Sequence, residues 1–399
     1  MSAETAFEWV NPKSLEQARE RLGLTHEEVA EQAEQLGGEY EGITAEALGA
    51  WEAGTEEPEL RHLEALSQIY VCPVGWFFLS RIPTEALALD FRGVASRSVV
   101  GASGMQTLSR FQDLADWAED VAIETGQLAA LSIGQARLND PIDQVVKAER
   151  QRVGFDARVR SQWRSKDDAF GWWRRRIEAL GVFCFMMRLP TSQVRGASYC
   201  GARGAAFVLV NSEDAESASG RMFTLLHEYA HLLLRESLVC DFRGSRGGTR
   251  VERFANRFAA GMLLDRSELN ERLQELDLLE VRQHWGDALL DKIREPLYVS
   301  RDVISIYLED LDLAPKGFYA MKRGTWAGRK AFGRAKAPRI GDTQAVQRLR
   351  MVGSTLAKVL SSDKAEARVS PLDLAEVLDV KVERVAEVLG VFRKAGDDV

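Results

Sequence analysis

The chain has 399 residues, 45% hydrophobic and 28% charged, with a formal net charge of -8, which is ordinary globular composition and length enough for two or three domains. No apolar run nears the roughly 20 residues that span a bilayer, and the acidic start through Glu4 and Glu8 lacks the features of a secretory signal, so the expectation is a cytoplasmic protein with no membrane association. Four cysteines (Cys72, Cys184, Cys200 and Cys240) lie far apart without a Cys-x-x-Cys pair, so neither a disulfide framework nor a Cys-rich zinc site is indicated, and buried free thiols are the expectation.

Residues 1–80 read as a helical domain. Residues 14–22 form an amphipathic helix closed by Gly23; Thr25 then caps a second helix to about Gln35, with Glu28 placed for a capping box. After Gly37 and Gly38 come helical segments at 43–54, 60–70 and 73–79. With Trp51-Glu52-Ala53-Gly54 and Glu57-Pro58, this pattern resembles the five-helix helix-turn-helix domain of phage-repressor-like (XRE) regulators. In such readers the second helix of the motif enters the major groove. Here it would offer Thr44, Ala45, Glu46, Ala47, Gly49 and Ala50, none a good base reader. The domain carries sixteen glutamates and no aspartate against Lys13, Arg19, Arg21 and Arg61, a net charge of -12 that leaves +4 for the remainder. A duplex would repel that surface. The expectation is a protein-interaction or dimerisation module, with DNA binding the weaker reading.

Residues 81–150 read as linker and helices: a Ser/Gly/Val stretch at 94–105 looks like a linker, and helical spacing covers 108–131 and 140–153. A third helix at 165–180 stops at Gly181, after which two apolar runs, 182–187 and 205–210, read as strands joined through a turn at 201–204.

The densest chemistry follows. Within the apolar run 224–234, His227 and His231 are four residues apart and project from one helix face, where two imidazoles can meet one tetrahedral metal. Glu228, one step round the helix, is placed to act as general base in hydrolysis. A second amphipathic helix at 252–264 carries Glu252 in its first turn and small residues that allow close approach. A catalytic site needs one further ligand and an open position. Glu252 is favoured, while Glu236, Cys240 and Asp241 remain open as alternatives.

Phe223-Thr-Leu-Leu-His-Glu-Tyr-Ala-His231 together with Glu252-Arg-Phe-Ala-Asn-Arg-Phe-Ala-Ala260 resembles the ImmA/IrrE metallopeptidases, and Trp173 to Phe183 and Asn211 fit the same family's upstream pattern. Ala230 departs from it, standing where the family often has glycine. The resemblance covers residues 165–264 and implies a zinc peptidase with His227, His231 and Glu252 as ligands and Glu228 as base. It also implies a protein substrate, by analogy a transcriptional repressor, in a stress, mobile-element or toxin-antitoxin setting, and pairing with an N-terminal repressor-like domain is a known family arrangement. His284, Tyr298 and Tyr307 are candidate oxyanion donors, each with packing or surface as the blander reading.

Residues 276–399 are helical patches with polar breaks. The segment 316–339 interleaves cations with Phe318, Tyr319, Trp326 and Phe332, which suits single-stranded nucleic acid but is read first as a solvated loop with packed aromatics. Residues 369–389 look like two short helices, a docking or sensing appendage.

The expected fold is therefore predominantly helical α+β: an N-terminal five-helix unit at 1–80, a zincin-like peptidase core at 151–275 with a small sheet, and a helical C-terminal region at 276–399. The expected function is a Zn2+-dependent regulatory endopeptidase. The competing expectation is a helix-turn-helix regulator or antitoxin-like binding protein in which the zinc site is structural or silent.

Overall fold

The computed structural model describes residues 10–22, 24–37, 41–70, 72–80, 97–128, 131–189, 194–212, 218–235, 238–241, 250–281, 284–328 and 343–397. The fold is predominantly helical α+β. The chain divides into two compact units, Met1–Ala88 with Ser96–Arg110, and Leu89–Ala95 with Phe111–Val399. Among the described residues, no helix is long and apolar enough to cross a membrane.

The first unit contains α1 (Pro12–Arg21), α2 (His26–Leu36), α3 (Ala45–Glu52), α4 (Leu60–Tyr70) and a 3-10 turn, Val74–Phe78. Local chemistry sets the helix starts: Asn11 caps α1, and Thr25 and Glu28 form the expected reciprocal capping box on α2. Thr44 accepts from the Ala47 amide as N-cap of α3, so its hydroxyl serves the helix start. Glu52 ties three helices together, accepting from Arg19 at 2.8 Å through two nitrogens and lying 3.0 Å from His26 Nε2. Gly23, Gly38 and the segment 87–93 lie outside the described residues.

Helix α5 (Arg97–Glu124), divided at Arg110, starts inside the stretch expected to be linker. Ser98, Gly101, Ser103 and Gly104 are poor helix formers, but propensity is a weak prior that tertiary context overrides. In the second unit, α6 (Ile142–Val153) and α7 (Lys166–Glu178) precede the sheet.

The sheet has four strands, β1 (Val182–Met187), β2 (Val194–Cys200), β3 (Ala206–Asn211) and β4 (Leu238–Asp241), in the order β1-β3-β2-β4. The expected pair was β1 and β3; these two run parallel, and β2, not anticipated, lies antiparallel between β3 and β4. The turn at 201–204 therefore joins β2 to β3. The Asn211 side chain ties the end of β1 to the start of β2: its Nδ2 donates to the Leu189 and Val194 carbonyls, and its Oδ1 accepts from the Leu189 amide at 3.1 Å.

Alternation divides the sheet faces. Val182, Cys184, Ala206, Val208 and Val210 join one hydrophobic cluster with α7 and the helices α8 (Ala218–Leu233) and α9 (Arg250–Leu263). On the other face Phe185 meets Phe111 of α5 edge-on, and the Tyr199 hydroxyl donates to Asp116 at 2.7 Å. The sheet is thus held between helical layers.

The chain continues through α10 (Arg266–Glu275), α11 (Asp287–Arg294), α12 (Arg301–Asp310) and α13 (Phe318–Gly328). The described part of the basic segment, 316–328, begins with exposed Lys316 and continues as this last helix, whose cations are engaged inside the fold. Arg323 donates to buried Asp302 at 2.6 Å, and Lys322 and Trp326 donate to Asp287 at 2.9 and 3.2 Å. Residues 329–339 lie outside the described residues.

The C-terminal helices are α14 (Gln344–Leu360), α15 (Asp363–Glu366), α16 (Pro371–Leu378) and α17 (Val385–Asp397). Far from hanging loose, α14 seals the outer edge of β1: Thr355 donates to the Val182 carbonyl at 3.1 Å, and Arg174 of α7 donates to the Cys184 carbonyl. Arg174 also holds Glu178 at 3.0 Å and donates to the Arg350 carbonyl at 2.6 Å. Gly353 breaks α14 with a φ of 78°, a left-handed conformation that favours glycine.

Candidate metal centre

Helix α8 is buried from Ala218 to Leu233 save for partly exposed Arg221. An interior helix of this kind normally carries apolar side chains all round, yet His227, Glu228 and His231 are each 0% exposed. Three polar side chains in such a place need a compensating purpose.

The two histidines meet as their spacing requires. Their Nε2 atoms are 3.1 Å apart and their ring planes are inclined at 69°. Glu252 comes from the first turn of α9 with its oxygens 3.3 Å from His227 Nε2 and 3.6 Å from His231 Nε2. One donor atom from each of the three residues lies within 4.8 Å of the others. The approach of α9 to α8 is permitted by Ala255 and Ala259, both fully buried on α9. Glu236 and the side chains of Cys240 and Asp241 lie outside the described residues.

The donor set suits a divalent transition metal. Zinc takes imidazole nitrogen and carboxylate oxygen, and it needs imidazole in its neutral form. Burial pushes His231 down to about 3, the neighbouring His227 pushes the same way, and Glu252 opposes them, so the ring is neutral near pH 7. Among the described residues the set has three members, the number found in catalytic sites that keep a position open.

The Glu228 carboxylate lies against β2 at Gly196. A Cβ built on Gly196 would lie 2.9 Å from Glu228 Oε1, 2.7 Å from Thr224 Cγ2 and 2.8 Å from the Leu209 carbonyl oxygen. On the far side of α8, Tyr229 donates to the buried Glu149 carboxylate of α6 at 2.6 Å. Glu149 is held in turn by Arg152 at 3.1 Å. Neither Gly196 nor the Tyr229 to Glu149 link was anticipated. The first was hidden because β2 was unread; the second joins residues eighty positions apart.

Of the candidate oxyanion donors, the two tyrosines donate to backbone carbonyls, Tyr307 to that of Leu264 at 2.6 Å and Tyr298 to that of Trp163 at 3.2 Å, and His284 is exposed, as the blander reading has it.

Residues 177–306 match the family model described as IrrE N-terminal-like domain, of the peptidase M78 family. The matched stretch runs from the end of α7 into α12 and includes His227, Glu228, His231 and Glu252. It supports the ImmA/IrrE family and a peptidase activity for this part of the chain. No curated protein and no solved structure matches the chain.

Proposed function

We propose that the chain is a zinc-dependent endopeptidase in which His227, His231 and Glu252 hold the metal and Glu228 is the general base. The observation that carries this reading is the convergence of two buried imidazoles from α8 and a carboxylate from α9, with a second buried carboxylate, Glu228, on the histidine helix. Zinc, when bound, would supply Lewis acidity to a substrate carbonyl and to water. The remaining work falls to the protein. Glu228 takes a proton from the attacking water onto its carboxylate and returns it to the leaving amine nitrogen. The buried walls of α8 and β2 limit competing solvent around that carboxylate.

The substrate in this reading is a specific protein partner, by family resemblance a transcriptional repressor. The acidic N-terminal unit, in this proposal a helix-turn-helix domain, makes protein contacts. Its net charge of -12 over residues 1–80 supports that choice over phosphate binding.

Replacement of Glu228 by Gln tests the reading with a quenched fluorogenic peptide library of randomised sequence. Zinc-loaded wild-type chain should cleave members of the library, and Glu228→Gln should retain one zinc while losing at least about 10²-fold in rate. Equal rates for the two, or no cleavage by the zinc-loaded wild type, would overturn it.

A further inference from the structure

Glycine in the middle of a strand weakens it and often marks close approach of another group. Gly196 is such a residue: it pairs with Val210 on one side and with Cys240 on the other. A register shift between Val194 and Gly196 in the pairing with β4 sits beside it, and irregularities of this kind re-aim the residues around them. The position does not use glycine's backbone freedom, since its φ lies outside the left-handed region. What the position requires is space.

Three groups would meet a side chain there, and they differ in how far each can give way. The Leu209 carbonyl oxygen, 2.8 Å from a Cβ at 196, belongs to the adjoining strand. Thr224 Cγ2, at 2.7 Å, is the methyl of a fully buried β-branched side chain on α8, with its rotamer restricted. The third group is the Glu228 carboxylate, at 2.9 Å, which alone sits on a side chain with several rotatable bonds. Of the three, Glu228 is the group that moves.

We propose that Gly196 is a positioning residue for hydrolysis: by lacking a side chain, it lets the Glu228 carboxylate rest against β2 in its working place, and any larger residue displaces that carboxylate. The inference rests on the proposed role of Glu228 as base. It separates the two halves of the centre. His227, His231 and Glu252 meet between α8 and α9, whereas Glu228 is set by the seam between α8 and β2. A substitution in β2 therefore disturbs the base and spares the metal.

The experiment compares zinc-loaded full-length wild type, Gly196→Ala and the double variant Gly196→Ala/Thr224→Ser, in which the obstructing Cγ2 methyl is gone. Zinc stoichiometry, crystal structures and cleavage of the same fluorogenic peptide library are measured for each. Gly196→Ala should keep one zinc, show the Glu228 carboxylate moved by about 1 Å or more, and lose about 10²-fold in kcat with little change in KM. The double variant removes the Thr224 clash but leaves the Cβ at 196 against the carboxylate, so it should keep the Glu228 displacement and most of the loss in kcat, whereas recovery of the wild-type rate would assign the loss to packing against Thr224 and overturn the proposal. Should Gly196→Ala fail to fold, the double variant carries the same structural comparison. A Glu228 carboxylate at its wild-type position with kcat within about threefold of wild type would overturn the proposal, as would loss of zinc together with activity. If the wild type itself cleaves nothing, the hydrolytic reading fails on its own, and the structures still decide whether Gly196 sets the carboxylate.

Discussion

Tyr229 and Glu149 face each other across the α8 and α6 interface, hydroxyl to carboxylate at 2.6 Å, with both side chains buried. The bond fastens the metal-bearing helix from behind, one residue after Glu228. Burial and the adjacent carboxylate both push the tyrosine hydroxyl far above its ordinary range, so it stays a donor at any working pH.

Removing that donor leaves a buried carboxylate with Arg152 as its remaining described hydrogen-bond partner. Tyr229→Phe should therefore destabilise the chain by about 1.5–3 kcal/mol, the range for a hydrogen bond to a charged group. Denaturant unfolding measures it. A loss below about 0.5 kcal/mol would mean the bond contributes little.

Metal binding should depend on both helices. Glu252→Ala removes the only donor that α9 gives to the cluster and should weaken zinc binding by at least about tenfold in competition with a chromogenic chelator. Retention of stoichiometric, wild-type-affinity zinc would place the third ligand elsewhere, with Glu236, Cys240 and Asp241 the first positions to examine.

Acid sensitivity should trace to Asp302. Burial pushes its carboxyl up, but Arg323 at 2.6 Å and Arg195 at 3.9 Å more than offset this and hold it below the ordinary carboxylate range. A depressed folded value means that the unfolded chain binds the proton more readily. The stabilisation is therefore full above the unfolded value of about 4 and disappears as pH falls through the folded one. Arg323→Ala removes the nearer cation and should cost about 3 kcal/mol near neutrality, while moving the acid-unfolding midpoint to higher pH. Circular dichroism across a pH titration reports it; an unchanged midpoint would remove Asp302 from the account.

Gly353→Ala should be among the more damaging single-methyl changes in the chain. The residue has a φ of 78°, and a Cβ there would meet Glu178 Oε1, the Cys184 carbonyl oxygen at 2.7 Å and an Arg174 nitrogen at 2.8 Å. Strain and collision together should cost about 2–4 kcal/mol. A melting temperature equal to wild type would show that α14 can shift freely on β1.

Local signals carried the sequence reading far where the physics is local. The Thr25 and Glu28 box appears as spaced, α4 occupies the expected 60–70, and the spacing of His227 and His231 does bring their nitrogens together. Glu252 was legible only in conjunction with a second motif, because its approach is tertiary. β2 escaped because Val194-Arg-Gly-Ala-Ser-Tyr-Cys200 lacks a continuous apolar run and carries the glycine that its neighbour demands. The alternation of Val194, Gly196, Ser198 and Cys200 was the available signal, and small side chains muted it. Likewise the cations of α13 look like a binding surface in sequence, since nothing there says that Asp287 and Asp302 lie opposite them.

The sealed edge of β1 sets the smallest piece of this chain that can be handled alone. The family match ends at residue 306, yet the Thr355 hydroxyl that covers the Val182 carbonyl arrives from well beyond it. A fragment trimmed to the matched stretch would present bare strand backbone to its own copies, a template for intermolecular pairing. Recognisable sequence and self-sufficient folding unit thus have different borders here, and aggregation of the shorter piece would report that border rather than any defect in the metal centre.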